Sequence, residues 1–172
     1  MLANTDIAQF IRTVTEDVFT TMLGMQLESG PEHEEQSGPD IADGVLGFVG
    51  LAGPWSGTGA VSCTAGFACK VCQALLMTEA TAVNEEVLDA VAEVTNMVIG
   101  NFKTLAEERV GPLGLSIPTV IYGRNFISRG GKRNEWVVVP FTCEGEKLEI
   151  RVCLAPDKSS SQQANSTVAA IA

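Results

Sequence analysis

The chain has 172 residues, 45% of them hydrophobic and 19% charged, which is one domain's worth of sequence with the balance of a globular, core-forming fold. A formal net charge of -10 makes nucleic acid and anionic membrane surfaces poor partners, since both would repel it. No apolar run reaches the length of a membrane span, the N-terminus lacks the basic and apolar regions of a secretory signal, and the odd set Cys63, Cys69, Cys72, Cys143 and Cys153 argues for a reducing compartment, hence the cytoplasm.

Residues 6–23 predict the first helix. Ile7, Phe10, Ile11, Val14, Val18, Met22 and Leu23 follow a helical period, Thr5 or Asp6 suits its N-cap, and Gly24 suits its stop. A short strand is expected over 25–28. Residues 29–43 then read as a loop, broken by Gly30, Pro31, Gly38 and Pro39. This loop carries Glu32, His33, Glu34 and Glu35, and a lone histidine among flexible carboxylates reads as solvated rather than metal-binding.

Two strands follow at 44–52 and 58–64, joined by Gly53-Pro54-Trp55-Ser56-Gly57. A short helix over 66–77 has Phe67, Ala68, Val71, Leu75 and Leu76 on its apolar side and contains Cys69-x-x-Cys72. A redox pair needs a lowered thiol pKa at a helix start, and a zinc site needs more ligands than lie nearby. Cysteine on a buried helix face is expected to be a small core residue.

The longest element is predicted over 84–110. It lacks proline, opens with Asn84 as N-cap, and places Glu85 and Glu86 in the first turn, where the helix dipole favours negative charge. Val87, Leu88, Val91, Val94, Val98, Ile99, Phe102 and Leu105 share one face. At about 100° per residue, Glu86, Asp89, Glu93, Asn96, Gly100, Lys103 and Glu107 fall on an opposite stripe. Asp89 and Glu93 are like charges four apart, a cost of a few tenths of a kcal/mol. Gly100 gives up roughly 0.5–1 kcal/mol relative to alanine. The plain expectation is a solvated polar face. The alternative is a face that another molecule's backbone approaches closely.

Gly111, Pro112 and Gly114 end this helix. A strand is expected over 115–122, at an edge or bulge because it contains Pro118, with a possible extension over 124–128. The basic turn Arg129-Gly130-Gly131-Lys132-Arg133-Asn134 precedes a hairpin of strands 135–143 and 147–155 across Glu144-Gly145-Glu146. Along its first strand apolar residues occupy both alternating sets, so both faces are expected to be covered. The Ser-, Gln- and Ala-rich end, 156–172, is expected to be a flexible tail after a single domain of 1–155. The element order predicts an α+β fold: a duplicated helix-plus-three-strands unit forming an antiparallel sheet with helices packed on it.

Asp89-x-x-x-Glu93-x-x-Asn96, followed by Met97, Ile99-Gly100-Asn101, Lys103 and the downstream Pro118, resembles the signature of the CheC/CheX/FliY family of chemotaxis response-regulator phosphatases. Met22-Leu23-Gly24 at the end of the first helix, the 47–59 hairpin region and the short helix are also CheX-like. Two-site family members repeat Glu-x-x-Asn in an earlier helix. Here the first helix offers Glu16-x-x-Phe19, so the single pair is similar to CheX.

The resemblance implies a six-stranded sheet, a homodimer, and a phosphorylated CheY-like receiver domain as partner, with Mg²⁺ supplied by that receiver and none bound by this chain. It implies that Asn96 positions the attacking water, that Glu93 pairs with the regulator's lysine, and that Asp89, Gly100 and Lys103 lie at the partner contact. Two other readings suit the same stripe: a non-catalytic module docking on a receiver or a flagellar-switch-type assembly, and a dimeric scaffold in which the stripe plays no part.

Overall fold

The computed structural model describes residues 1–127 and 135–158. Helix α1 spans Asn4–Leu23. It starts earlier than expected because Asp6 reaches back to accept the backbone N–H of Ala3 at 3.1 Å, which satisfies a donor that would otherwise lack a partner. Strands β1 (Glu28–Ser29), β2 (His33–Glu35), β3 (Asp40–Ala52) and β4 (Trp55–Cys63) follow. Then come helices α2 (Ala65–Leu76) and α3 (Glu85–Val110), and strands β5 (Gly114–Leu115), β6 (Thr119–Ile127), β7 (Trp136–Cys143) and β8 (Glu146–Pro156).

The described residues form one antiparallel sheet in the order β1-β7-β8-β4-β3-β5, with β2 also on β7 and β6 also on β3. It is eight-stranded, not six-stranded, because each edge is made of two strands, β1 and β2 along β7 and β5 and β6 along β3. The expected duplication is visible in the pairing. The hairpin β3-β4 of the first half and the hairpin β7-β8 of the second meet through β4 and β8. Each half lends its first strand to the other: β1 lies on β7 and β6 lies on β3.

The stretch 29–43 is not a single loop. Glycine and proline punctuation marks breaks but does not reveal a sheet edge available for pairing. The three glutamates there have partners: Glu32 pairs with Arg12, Glu34 accepts from Asn4 Nδ2 at 2.8 Å, and Glu35 pairs with Arg151 and lies 3.0 Å from His33 Nε2. Of the strand expected over 25–28, only Glu28 is in a strand, while Met25 and Leu27 pack on the core instead. The turn expected at 129–134 and most of the expected 156–172 tail lie outside the described residues. Pro156 itself ends β8, opposite Trp55.

The main core lies between the helices and one face of the sheet. Val45, Val49, Val61, Val137, Val139, Ile150 and Val152 are buried there with Val87, Val91, Val94, Val98, Ile99 and Phe102 of α3. The five cysteines are free and buried. Burial raises the pKa of each thiol, that of Cys63 to about 12, which is opposite to what a redox pair at Cys69 and Cys72 needs.

The other face of β7 also carries buried residues, Trp136 and Val138, clustered with Leu46, Ala60 and Cys153. Arg151 is buried beside them at 6% exposure, held by Glu35 and by Glu149 at 2.7 Å. Burial alone would raise the pKa of Glu35. Hydrogen bonds from Arg151 and His33, with the Arg151 charge, outweigh it and hold this carboxyl below its ordinary range.

Two glycines let α3 lie close on the sheet. A Cβ at Gly47 would collide with the Thr95 hydroxyl, and one at Gly59 would stand 2.6 Å from Ile99 Cδ1. Gly47→Ala should therefore push α3 outward and lower stability by about 1–3 kcal/mol, as overpacking does. Urea unfolding checks this, and an unchanged midpoint would refute the close seat.

Candidate functional site on the outer face of α3

Asn84 caps α3 by accepting the N–H of Val87 at 3.0 Å, as its residue type predicts. The helix is then fixed in rotation by its contacts beneath. Thr95 is fully buried and donates its hydroxyl proton to the Val91 carbonyl at 2.7 Å, directly over Gly47. Ile99 sits over Gly59. Thr95 was not singled out by the sequence pattern, because a threonine inside a helix reads as neutral. Its signal was indirect, a glycine in a strand that marks the close approach of another element.

With that face held down, the opposite stripe points outward. Asp89 and Glu93 are exposed, and Asn96 and Gly100 are half-buried. Glu93 and Asn96 lie three residues apart on one helix, so their side chains are neighbours. Among the described residues, none of Asp89, Glu93 and Asn96 makes a side-chain hydrogen bond or ion pair. A carboxylate and a carboxamide, which both accepts and donates, are thus presented together with no partner from their own chain.

Gly100 continues the stripe. A Cβ there would meet only Leu115 Cδ2, at an ordinary 3.8 Å, so the chain's own packing does not require glycine. Lys103 differs from the rest of the stripe. Its ammonium pairs with Glu107 at 2.8 Å, and the same Glu107 accepts the N–H of Leu113 at 2.7 Å. Hydrogen bonds from Lys103 and Leu113 hold the Glu107 carboxyl below its usual pKa. Lys103 therefore helps fasten the end of α3 to the chain leading into β5. Pro118 lies between β5 and β6, at the sheet edge.

Two clefts among the described residues are lined by other side chains, one by Asp40, Asp43, Ser62 and Lys147, another by α2, residues 80–83 and Tyr122. Glu93 and Asn96 stand on an open helix face, the form expected of a site for a macromolecule rather than a small molecule.

The model of the family described as chemotaxis phosphatase CheX matches residues 45–142, from within β3 into β7 and including all of α3. The chain belongs to the CheX family. Solved structures share its fold. The chemotaxis protein CheX from Desulfovibrio desulfuricans is 26% identical with a TM-score of 0.78, over 87% of this chain and 99% of that one. A CheC-like superfamily protein from Shewanella sp. PV-4 is 24% identical with a TM-score of 0.78, over 89% of this chain and 99% of that one. The Borrelia burgdorferi structure of a CheX–CheY complex with BeF₃ and Mg²⁺ is 26% identical with a TM-score of 0.72, over 90% of this chain and 99% of that one. No curated protein sequence matches the chain. Among the described residues of this CheX family member, no group of three or more His, Cys, Asp or Glu could hold a metal ion.

Proposed function

We propose that this CheX family member hydrolyses the aspartyl phosphate of a CheY-like receiver domain, with Asn96 orienting the water and Glu93 docking the receiver. The observation that carries the proposal is the unpartnered pair of Glu93 and Asn96 on the outer face of α3. Hydrolysis of an acyl phosphate needs a water held in line with the leaving carboxylate, and positioning and electrostatics supply most of the effect. The Asn96 carboxamide can accept a hydrogen bond from that water through its oxygen and donate one through its nitrogen, without adding charge beside an anionic phosphoryl group. Mg²⁺, carried by the receiver, would neutralise charge on the phosphoryl oxygens. The Borrelia burgdorferi CheX was solved together with CheY, BeF₃ and Mg²⁺, which supports a partner of this class.

Glu93 carries the charge that Asn96 lacks. A lysine of the receiver paired with it would orient the two proteins and draw that lysine from its phosphate. Asp89, one turn earlier, adds to the negative field, and Gly100 leaves room for a loop of the receiver. Lys103 would lie at the rim of the contact while remaining tied to Glu107.

The test is the lifetime of a phosphorylated CheY-like receiver with Mg²⁺, with and without this protein. A shortened lifetime supports hydrolysis. Saturable binding with an unchanged lifetime would replace it with the docking-module reading. Glu93→Gln should raise the receiver concentration for half-maximal rate by roughly 10-fold or more, the worth of a charge-assisted hydrogen bond, while changing the saturated rate less. Equal titration curves for Glu93→Gln and wild type would remove Glu93 from the docking contact.

A further inference from the structure

We infer that Ile117, on the short loop between β5 and β6, is an apolar anchor for the receiver domain beside Asn96, and so sets affinity for the partner rather than the chemical step. The inference rests on the proposed phosphatase reading and adds to it a contact outside α3. Ile117 is 86% exposed. A single exposed aliphatic residue is ordinary on a protein surface, so three further features carry the case.

The first is position. Leu115 pairs with Leu51 of β3, and Thr119 pairs with Phe48. Ser116 donates its N–H to the Gly50 carbonyl at 2.9 Å. Ile117 and Pro118 therefore stand together opposite Val49, one residue more than the ladder holds, as a bulge on the edge level with positions 48–50 of β3. Val49 of β3 pairs with Gly59, which lies under Ile99, and Gly47 lies under Thr95. The bulge thus runs level with the segment of α3 that carries Asn96.

The second is rigidity. Ser116 Oγ accepts the N–H of Gly50 at 2.8 Å and donates to the Ile117 carbonyl at 3.0 Å, and Pro118 fixes its own φ. The Ile117 backbone is held before any partner arrives, so little ordering entropy remains to oppose binding. Bulges at sheet edges next to functional sites commonly re-aim a side chain in this way.

The third is continuity. Leu115 Cδ2 lies 3.8 Å from where a Cβ of Gly100 would stand, so the edge segment of Leu115, Ile117 and Pro118 begins against the bare helix backbone. Together with the charged and amide groups of α3 it has the composition of a docking patch, an apolar anchor next to polar groups that fix orientation. A receiver whose phosphoryl group meets Asn96 would extend over this edge.

The experiment compares wild type, Ile117→Ser and Asn96→Ala on a CheY-like receiver phosphorylated by a small phosphodonor, over a range of receiver concentrations. Thermal unfolding and light scattering are run on each variant. Ile117→Ser should raise the half-saturating receiver concentration about tenfold, as expected for losing one buried aliphatic side chain, with the saturated rate and melting temperature unchanged. Asn96→Ala should lower the saturated rate instead. If wild type shortens the receiver's lifetime and Ile117→Ser matches it at every concentration, the anchor is overturned while the phosphatase stands. If Ile117→Ser changes only the oligomeric state, the residue serves a contact between two copies of this chain and the anchor is again overturned. If wild type leaves the lifetime unchanged, the parent proposal fails and this one with it.

Discussion

Asn96→Ala is expected to reduce the accelerated dephosphorylation of the receiver by roughly 10²-fold or more, to near the receiver's own rate, while binding and stability stay close to wild type. The size follows from what the side chain does. A water misplaced by about 1 Å forfeits on the order of 10²-fold in rate, and losing one oriented polar group at a transition state costs 10²–10³-fold. The lack of other effects follows from its surroundings. Asn96 makes no side-chain hydrogen bond with any described residue, and it occupies a helix position that alanine favours. Single-turnover decay of the phosphorylated receiver with saturating protein reads the rate, and a titration with a BeF₃-activated receiver reads the affinity. Decay as fast as with wild type would remove Asn96 from the chemistry.

Phe102→Ala should show the converse. Phe102 is fully buried in α3 and meets Phe10 of α1 edge to face, with ring centroids 6.4 Å apart at 63°. Truncation removes a large apolar contact and leaves a cavity that the surrounding helices fill only partly, a cost of about 3–5 kcal/mol. Domains of this size are stable by about 5–15 kcal/mol, so the urea midpoint should fall sharply. The fraction that remains folded should dephosphorylate the receiver at the wild-type rate per folded molecule. A small shift in midpoint would mean that the α1–α3 contact repacks around the loss. The two substitutions lie six positions apart on one helix and separate its tasks: the inner face holds α3 on the sheet, and the outer face works on the partner.

Most of α3 was legible in the chain. Asn84, the acidic first turn, the valine-rich period and Gly111 are local signals, and local hydrogen bonding and burial periodicity are what form a helix. The outward stripe follows from the same period, so Asp89, Glu93, Asn96 and Gly100 could be placed on one face without coordinates. The pairing of Lys103 with Glu107, and of Glu107 with Leu113, lay partly beyond that reach, since it depends on where the chain turns after α3. The split edge strands β1, β2 and β5 were not legible either. They are two or three residues long, too short for a period, and they exist because a neighbouring strand offers unpaired backbone groups.

By itself the sequence determined the α+β class, the long amphipathic helix, the single Glu-x-x-Asn pair on its outer face, and the resemblance that pointed to the CheX family. These rest on interactions within a few residues along the chain or on a spaced pattern of residue types. Only the tertiary structure decided the rest: the exchange of first strands between halves, the seat of Thr95 over Gly47, the buried Arg151 with Glu35 and Glu149, and the bulge that sets Ile117 and Pro118 opposite Val49. Each joins segments far apart in the chain through shape and register, and no local propensity encodes which distant segment will lie alongside.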